Sequence, residues 1–298
     1  MPTVALTIDL DPLSAYYAIH GLQTPPASDP VLRLGIRRFL DLVKEYHVPA
    51  TLFVTGAWLG EKEWATVREA VDCGCEIADH SFSHDYRLSL RPQEDIETDL
   101  KRNSFVIREY TGVTPVGFRA PGYNTSTAMR AALAALGYRY DSSAFPSPFY
   151  HTAKQFIIWV KRAVGHRSVS FVSSFRDGFG PKKPYFLSEG PLEIPITTVV
   201  PLIGLPLIGT ALITFPSPLV RFLVSRALTR QLVVIELHAI DFVEAEDDPE
   251  LAPLVGKQPD LSYPLERKLY RIRRTLERFS KRGFSFQTLA TIAHEMTL

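Results

Sequence analysis

At 298 residues, with 46% apolar and 22% charged residues, the chain is composed like a globular protein. It is long enough for one large α/β barrel or two small domains. Its 33 basic and 32 acidic residues leave a formal charge of +1. No basic patch interleaved with aromatics stands out, so no nucleic-acid partner is expected. Cys73 and Cys75 stand two apart, a spacing poorly suited to a mutual bridge, and read as free thiols of a reducing compartment. The opening Met-Pro-Thr-Val-Ala-Leu-Thr-Ile-Asp has no basic region ahead of an apolar core. The expectation is a cytoplasmic chain without a signal peptide.

Val4 to Ile8 is a short apolar run that predicts a buried strand ending at two aspartates. Residues 12–30, with four prolines, read as a loop. Helical spacing of Leu34, Phe39, Leu42 and Val43 predicts a helix over Val31–Tyr46. Ala50–Thr55 reads as strand, Glu63–Cys73 as helix and Glu76–Ala78 as a short strand leading into His80. A charged amphipathic helix follows over Pro92–Tyr110, then Gly117-Phe118, an alanine-rich helix over Thr125–Leu136 and a strand at Tyr138–Asp141. This alternation predicts parallel strands joined by crossover helices, with candidate site residues just after the strands.

Beyond residue 142 the pattern loosens. Phe145-Pro146-Ser147-Pro148 reads as a turn, and Ser168–Phe175 and Leu192–Thr198 as strands. Leu232–Leu237 is a strong strand ending at His238, Pro264–Lys281 a basic amphipathic helix, and 284–286 and 289–295 a last strand and helix. From Ile194 to Val220 there is no charged residue. A spanning helix needs about 20 apolar residues, but prolines at 195, 201, 206, 216 and 218 break this stretch. It reads as buried strand and loop or as an apolar lip at the site, touching a membrane surface or a lipid-like substrate.

The chemistry-bearing residues are scattered. Asp9 and Asp11 stand two apart, so a continuing strand points both to one face. One carboxylate can bind metal while the other accepts a proton, or the pair can simply finish a strand and cap a turn. His80 and His84 follow a strand-like segment, where a tight loop lets both rings converge. With one aspartate they make the two-histidine, one-carboxylate set of a catalytic zinc site, a donor set that iron, cobalt and manganese also accept. Arg119-Ala120-Pro121-Gly122-Tyr123 and Glu236-Leu237-His238 add an arginine and a third histidine. Taken alone, Arg119 reads equally as a solvated charge and Tyr123 as packing.

In this order the segments resemble the polysaccharide deacetylase family, the NodB-homology or carbohydrate esterase family 4 group. Thr7-Ile8-Asp9-Leu10-Asp11 looks like its divergent Asp-x-Asp branch, and His80-Ser81-Phe82-Ser83-His84 like its second motif. The resemblance implies a distorted (β/α)7-type barrel and an N-deacylase of an aminosugar in a glycan, glycan precursor or glycolipid. By it Asp9 is the general base, and Asp11, His80 and His84 hold a divalent metal, zinc first. Arg119 would orient Asp9, and Asp141 would brace Arg119 or serve only as a turn aspartate before Ser142. The Tyr123 N–H would be an oxyanion donor, and His238 the general acid. Where many members have an acyl-pocket leucine, this chain has Glu236, so Tyr123 and Glu236 are the expected substrate contacts. Asp241 would hydrogen-bond His238 or cap the following loop. The resemblance spans about 3–141 and resumes near 192–298, which implies one catalytic domain over 1–298 with an apolar insert at about 142–232. A cytoplasmic, membrane-associated location and a peripheral contact through 194–220 fit a lipid-linked substrate. A deformylase or other amidohydrolase, and an inactive carbohydrate-binding relative, are the competing readings.

Overall fold

The computed structural model describes every residue except 23, 25, 164–170, 172–177 and 189. Its sheet is built outward from β1 (Thr3–Asp9), whose residues beyond Thr3 are all buried. Such a strand, covered on both faces, is a continuous apolar run rather than an alternating one. Next come α1 (Leu13–Ile19), α2 (Pro30–Tyr46), β2 (Ala50–Val54), α3 (Glu61–Asp72) and β3 (Glu76–Asp79). They are followed by α4 (Gln93–Thr111), β4 (Gly117–Phe118), α5 (Thr127–Ala135) and β5 (Tyr140–Asp141).

The expected loop at 12–30 contains the short helix α1. Asp29 explains it: its carboxylate accepts from Leu32 N–H at 2.9 Å and from Leu13 N–H at 2.7 Å, tying the starts of α1 and α2 together. Burial of Leu13, Tyr16 and Tyr17 then outweighs the weak propensity of so short a helix. On α2 the stripe Leu32, Ile36, Phe39, Leu40 and Val43 packs into the main core with β1 and the last long strand. Each such side chain contributes roughly 1.5–3 kcal/mol by leaving water.

The turn expected at 145–148 holds at its start, but α6 (Pro148–Ala163) begins on its last proline, a residue well suited to a first helical position. After it come β6 (Tyr185–Phe186), β7 (Leu192–Glu193), β8 (Thr198–Val199) and β9 (Leu205–Pro206). The strand expected over Leu192–Thr198 is therefore two short strands, because Pro195 cannot donate to a ladder. The strand expected at Ser168–Phe175 lies outside the described residues, only Phe171 among them being described. Helices α7 (Gly209–Thr214) and α8 (Ser217–Ala227) lead to β10 (Leu232–His238), α9 (Leu265–Lys281), β11 (Ser285–Phe286) and α10 (Leu289–Thr297). Most of the uncharged 194–220 stretch is core, with Ile194, Leu207, Leu212 and Ile213 buried, while Leu202 and Ile203 at the β8–β9 tip are exposed. Among the described residues no helix is long and apolar enough to cross a membrane.

The strand order is β10-β1-β2-β3-β4-β5-β7-β6, with β11 beside β1. All these pairs are parallel except β6–β7. The sheet is curled and open, a half-barrel. Its register decides where chemistry can gather: Asp9 lies opposite His238, Val54 opposite Asp79, Phe118 opposite Asp141, and Asp141 opposite Glu193. The carboxyl ends of β10, β1, β3, β4 and β5 thus share one rim, and every candidate segment sits on it or leaves from it.

Candidate active site

Asp11 is the point on which the histidines converge. Its Oδ1 lies 3.2 Å from His80 Nε2 and 3.0 Å from His84 Nε2. Two residues with positive φ, Ser81 and His84, make this possible by turning the chain sharply after β3. Asp79 holds the turn. It accepts from Ser81 N–H at 2.8 Å, Asn103 Nδ2 at 2.8 Å and the Tyr138 hydroxyl at 2.6 Å. Burial pushes the Asp79 carboxyl up to about 7, against the pull of Tyr138 and Asn103. Ser81 Oγ also accepts from His84 N–H at 3.1 Å.

His80 Nδ1 lies 2.7 Å from the Arg119 carbonyl. A carbonyl can only accept, so Nδ1 carries a proton and in the neutral ring Nε2 keeps its lone pair toward Asp11. This is the arrangement in which metal-binding imidazoles are held by their outer neighbours. His84 is buried and neither ring nitrogen makes a hydrogen bond of good geometry. Ligand atoms of Asp11, His80 and His84 all lie within 4.8 Å of one another. Burial opposes charge on Asp11, yet His84, His80 and His238 hold its carboxyl well below the ordinary range. One carboxylate, two converging imidazole nitrogens and an otherwise orphaned buried histidine fit a divalent cation.

Asp9 stands beside this group. Its Oδ1 accepts from Arg119 Nη1 at 2.6 Å, and its Oδ2 lies 3.8 Å from His80 Nε2. Arg119 is fully buried and fixed on several sides. It donates to Ser142 O and Ser142 Oγ, each at 3.0 Å, and to Thr7 Oγ1 at 3.0 Å. Its guanidinium lies 4.1 Å above the Phe53 ring centroid. The expected brace, Asp141, is not a hydrogen-bond partner of Arg119. Asp141 turns to the Ser143 hydroxyl instead, because Ser142 extends from the end of β5 toward the guanidinium and takes the position itself. Burial lifts Asp141 to about 6 and Glu193, opposite it on β7, well above its usual range.

Tyr123 needs a second correction. Its N–H donates to Ala120 O at 2.9 Å, closing the turn over Pro121–Tyr123, and so is not free to serve as an oxyanion donor. Gly122 and Tyr123 both have positive φ there. That turn throws the ring inward, where the Tyr123 hydroxyl donates to Glu236 Oε1. Glu236 is fully buried and its Oε1 also lies 3.3 Å from His238 Nε2. Burial raises the Glu236 carboxyl, against the pull of His238. His238 Nε2 is 3.8 Å from Asp11 Oδ2. Burial disfavours a charged ring, but Glu236, Asp11 and Asp9 hold the His238 imidazole protonated up to about 10. Asp241 accepts from the His238 backbone N–H at 2.8 Å rather than from its ring.

Asp9, Asp11, His80, Tyr123 and His238 line a cavity of about 160 Å³ whose wall also includes Tyr16, Tyr86, Tyr150 and Lys154. Sequence patterns missed these four, along with Thr7, Ser142 and Asp79. Only Asp79 carried a signal, as an acid ending a strand immediately before His80. The arrangement can bind a cation, hold a base in one orientation and present a charged imidazole across a small polar cavity.

Residues 2–140 match the family described as polysaccharide deacetylase. The chain is similar to a peptidoglycan deacetylase of Helicobacter pylori, 30% identical over 49% of this chain and 50% of the relative. It is also similar to a peptidoglycan deacetylase-like protein of Gibberella zeae, 28% identical over 47% of this chain and 45% of the relative. The matches therefore span about half the length of these curated relatives. Among solved structures, a Mycobacterium smegmatis protein assigned as a polysaccharide deacetylase superposes with TM-score 0.61 at 19% identity, over 98% of this chain and 89% of that one. A family 4 carbohydrate esterase from Streptomyces lividans gives 0.51 at 14% identity, over 97% and 93%. A family 4 pseudoenzyme from Bacillus anthracis gives 0.52 at 12% identity, over 98% and 65%. At these identities the likeness speaks for the fold.

Proposed function

We propose, from the match of residues 2–140 to the polysaccharide deacetylase family, that this chain is a metal-dependent hydrolase that removes an N-acetyl group from an aminosugar. The substrate is a glycan, a glycan precursor or a glycolipid. The observation that carries the reading is the register of β1 with β10. It sets Asp9 beside His238 at the edge of the Asp11–His80–His84 group, so a base and an acid flank one position. In this reading 1–298 is one catalytic domain with an apolar insert at about 142–232.

Asp11, His80 and His84 would hold a divalent cation, zinc first. When bound, it lowers the pKa of water and polarises an amide carbonyl. Asp9, oriented by Arg119, which Thr7 helps to hold, takes the proton of the attacking water through Oδ2. His238 gives a proton from Nε2 to the departing nitrogen. Glu236 keeps His238 charged and turned inward, and Tyr123 fixes Glu236. The products are acetate and a free amine.

A second reading, a deformylase or non-sugar amidohydrolase, draws on Glu236: a buried carboxylate, rather than an apolar side chain, stands behind Tyr123 and His238 of the cavity wall. Metal analysis combined with acetate, formate and free-amine release from N-acylated sugars and lipid-linked sugars separates the two. Asp9→Asn is expected to lower turnover by about 10²–10⁴-fold with metal content unchanged. Loss of metal in that variant would exchange the roles of Asp9 and Asp11. Sugar binding without metal or product release would leave an inactive carbohydrate-binding relative.

A further inference from the structure

A second set of ligand-type side chains stands beside the first. One ligand atom from each of Asp9, Glu236 and His238 lies within 4.8 Å of the other two, so the three close on one point as Asp11, His80 and His84 do. The strand register puts them there. Asp9 ends β1 opposite His238, and Glu236, two residues earlier on β10, shares the face of His238. Two carboxylates and an imidazole make a donor set that suits zinc, iron, cobalt or manganese. Asp11 joins the two sets: its Oδ1 faces His80 and His84, while its Oδ2 lies 3.8 Å from His238 Nε2.

An ion pair with His238 does not account for the whole of Glu236. Its Oε1 meets both the Tyr123 hydroxyl and His238 Nε2, yet its Oε2 is buried with no hydrogen-bond partner. A bare carboxylate oxygen inside a fold is rare, and a bound ion is one of the few things that satisfies it. Asp9 gives Oδ1 to Arg119 and keeps Oδ2 on the side of His80 Nε2, 3.8 Å away. The His238 side chain is 20% exposed and lines the cavity, which gives an ion a way in. Arg119, buried against Asp9, sets a fixed positive charge at the edge of this second set, and a cation held at Asp11 adds to it. The second set therefore fills only after the first, at zinc well above what the first requires.

We propose that Asp9, Glu236 and His238 bind a second divalent cation, sharing Asp11 with the first, and that its arrival switches hydrolysis off. His238 gives its Nε2 proton to solvent as it takes the ion, and Asp9 Oδ2 is covered in the same event, so base and acid are lost together. The site stands on geometry; its inhibitory effect rests on the roles proposed above for Asp9 and His238. The test is calorimetric titration of the chelator-treated full chain with zinc chloride, alongside acetate, formate and amine release from the N-acylated sugars at each zinc concentration. Two sites are expected, one tight and one weaker, with release rising as the first fills and falling as the second does. Glu236→Gln and His238→Gln should each leave the tight site and weaken the other by about tenfold or more, a loss that even the outer neighbours of metal ligands produce. Glu236→Gln should also carry the falling limb of release to higher zinc. Circular dichroism identifies a variant that has not folded, and the two variants report independently. A single site in the wild type, a second site indifferent to both substitutions, or release that holds steady while the second site fills would overturn the proposal. Two sites without release from any sugar at any zinc concentration would keep the cation site and overturn both the deacylase reading and the switch built on it.

Discussion

Glu236 Oε1 lies 3.3 Å from His238 Nε2, and the same oxygen accepts the Tyr123 hydroxyl. A carboxylate one strand-pleat away from the proposed acid therefore governs how long that acid keeps its proton. Glu236→Gln removes the nearest negative charge, so the His238 imidazole releases its proton at lower pH. The alkaline limb of the kcat/KM–pH profile should move to lower pH. An unmoved or raised limb would separate Glu236 from the acid step.

Cation binding should appear as stability before any substrate is known. A ligand present at 100 times its Kd stabilises a fold by about 2.7 kcal/mol. Zinc added to the chelator-treated protein should raise its Tm. His84→Gln should abolish that rise with little change in the metal-free Tm, because the His84 ring contributes no well-formed hydrogen bond to the fold and the backbone bond to Ser81 is kept. An undiminished rise in this variant would place the ion elsewhere.

Gly209 tests the support of His238 from behind. A Cβ on Gly209 would meet Asp241 Oδ2 at 1.8 Å, and Asp241 is the acceptor for His238 N–H. Gly209→Ala should cost about 1–3 kcal/mol of stability by overpacking, read from urea unfolding, and should also lower kcat. Full activity would mean that Asp241 is not needed to hold the end of β10.

Lys154 contributes a stability signature in solution. Burial depresses its ammonium to about 8, below the value of about 10.4 for an unperturbed lysine. Between those values the unfolded chain binds more protons, so stability from this group rises with pH across that window and the penalty is complete below it. Lys154→Met should unfold at a higher temperature than wild type at pH 7, with the gap closing by about pH 10. A gap independent of pH would point to packing alone.

The strands and the residues that converge at the candidate site were legible because each rests on local information. Asp9, Asp11, His80, His84 and His238 all end or follow apolar runs that only a buried strand explains. What escaped depends on contacts between distant segments. Ser142 holds Arg119 because β4 and β5 pair with Phe118 opposite Asp141, and nothing in Asp141-Ser142-Ser143 says which residue faces the guanidinium. Tyr123 N–H is consumed by a turn whose closure depends on Gly122 at positive φ. Helices α1 and α6 were hidden by prolines that start a helix as readily as they stop one.

The pairing of β1 with β10 joins residues that a ribosome delivers at very different times. Asp9 and His238 are 229 positions apart, and they meet only when Leu232–His238 docks along Thr3–Asp9. A nascent chain halted before β10 would hold the proposed cation ligands and the proposed base but not the proposed acid. Such widely separated pairing is slow to form. Until it does, the edge of β1 is open to the wrong neighbour. Catalytic competence would then trail the appearance of metal binding during synthesis, and the interval between them would time the docking of that one strand.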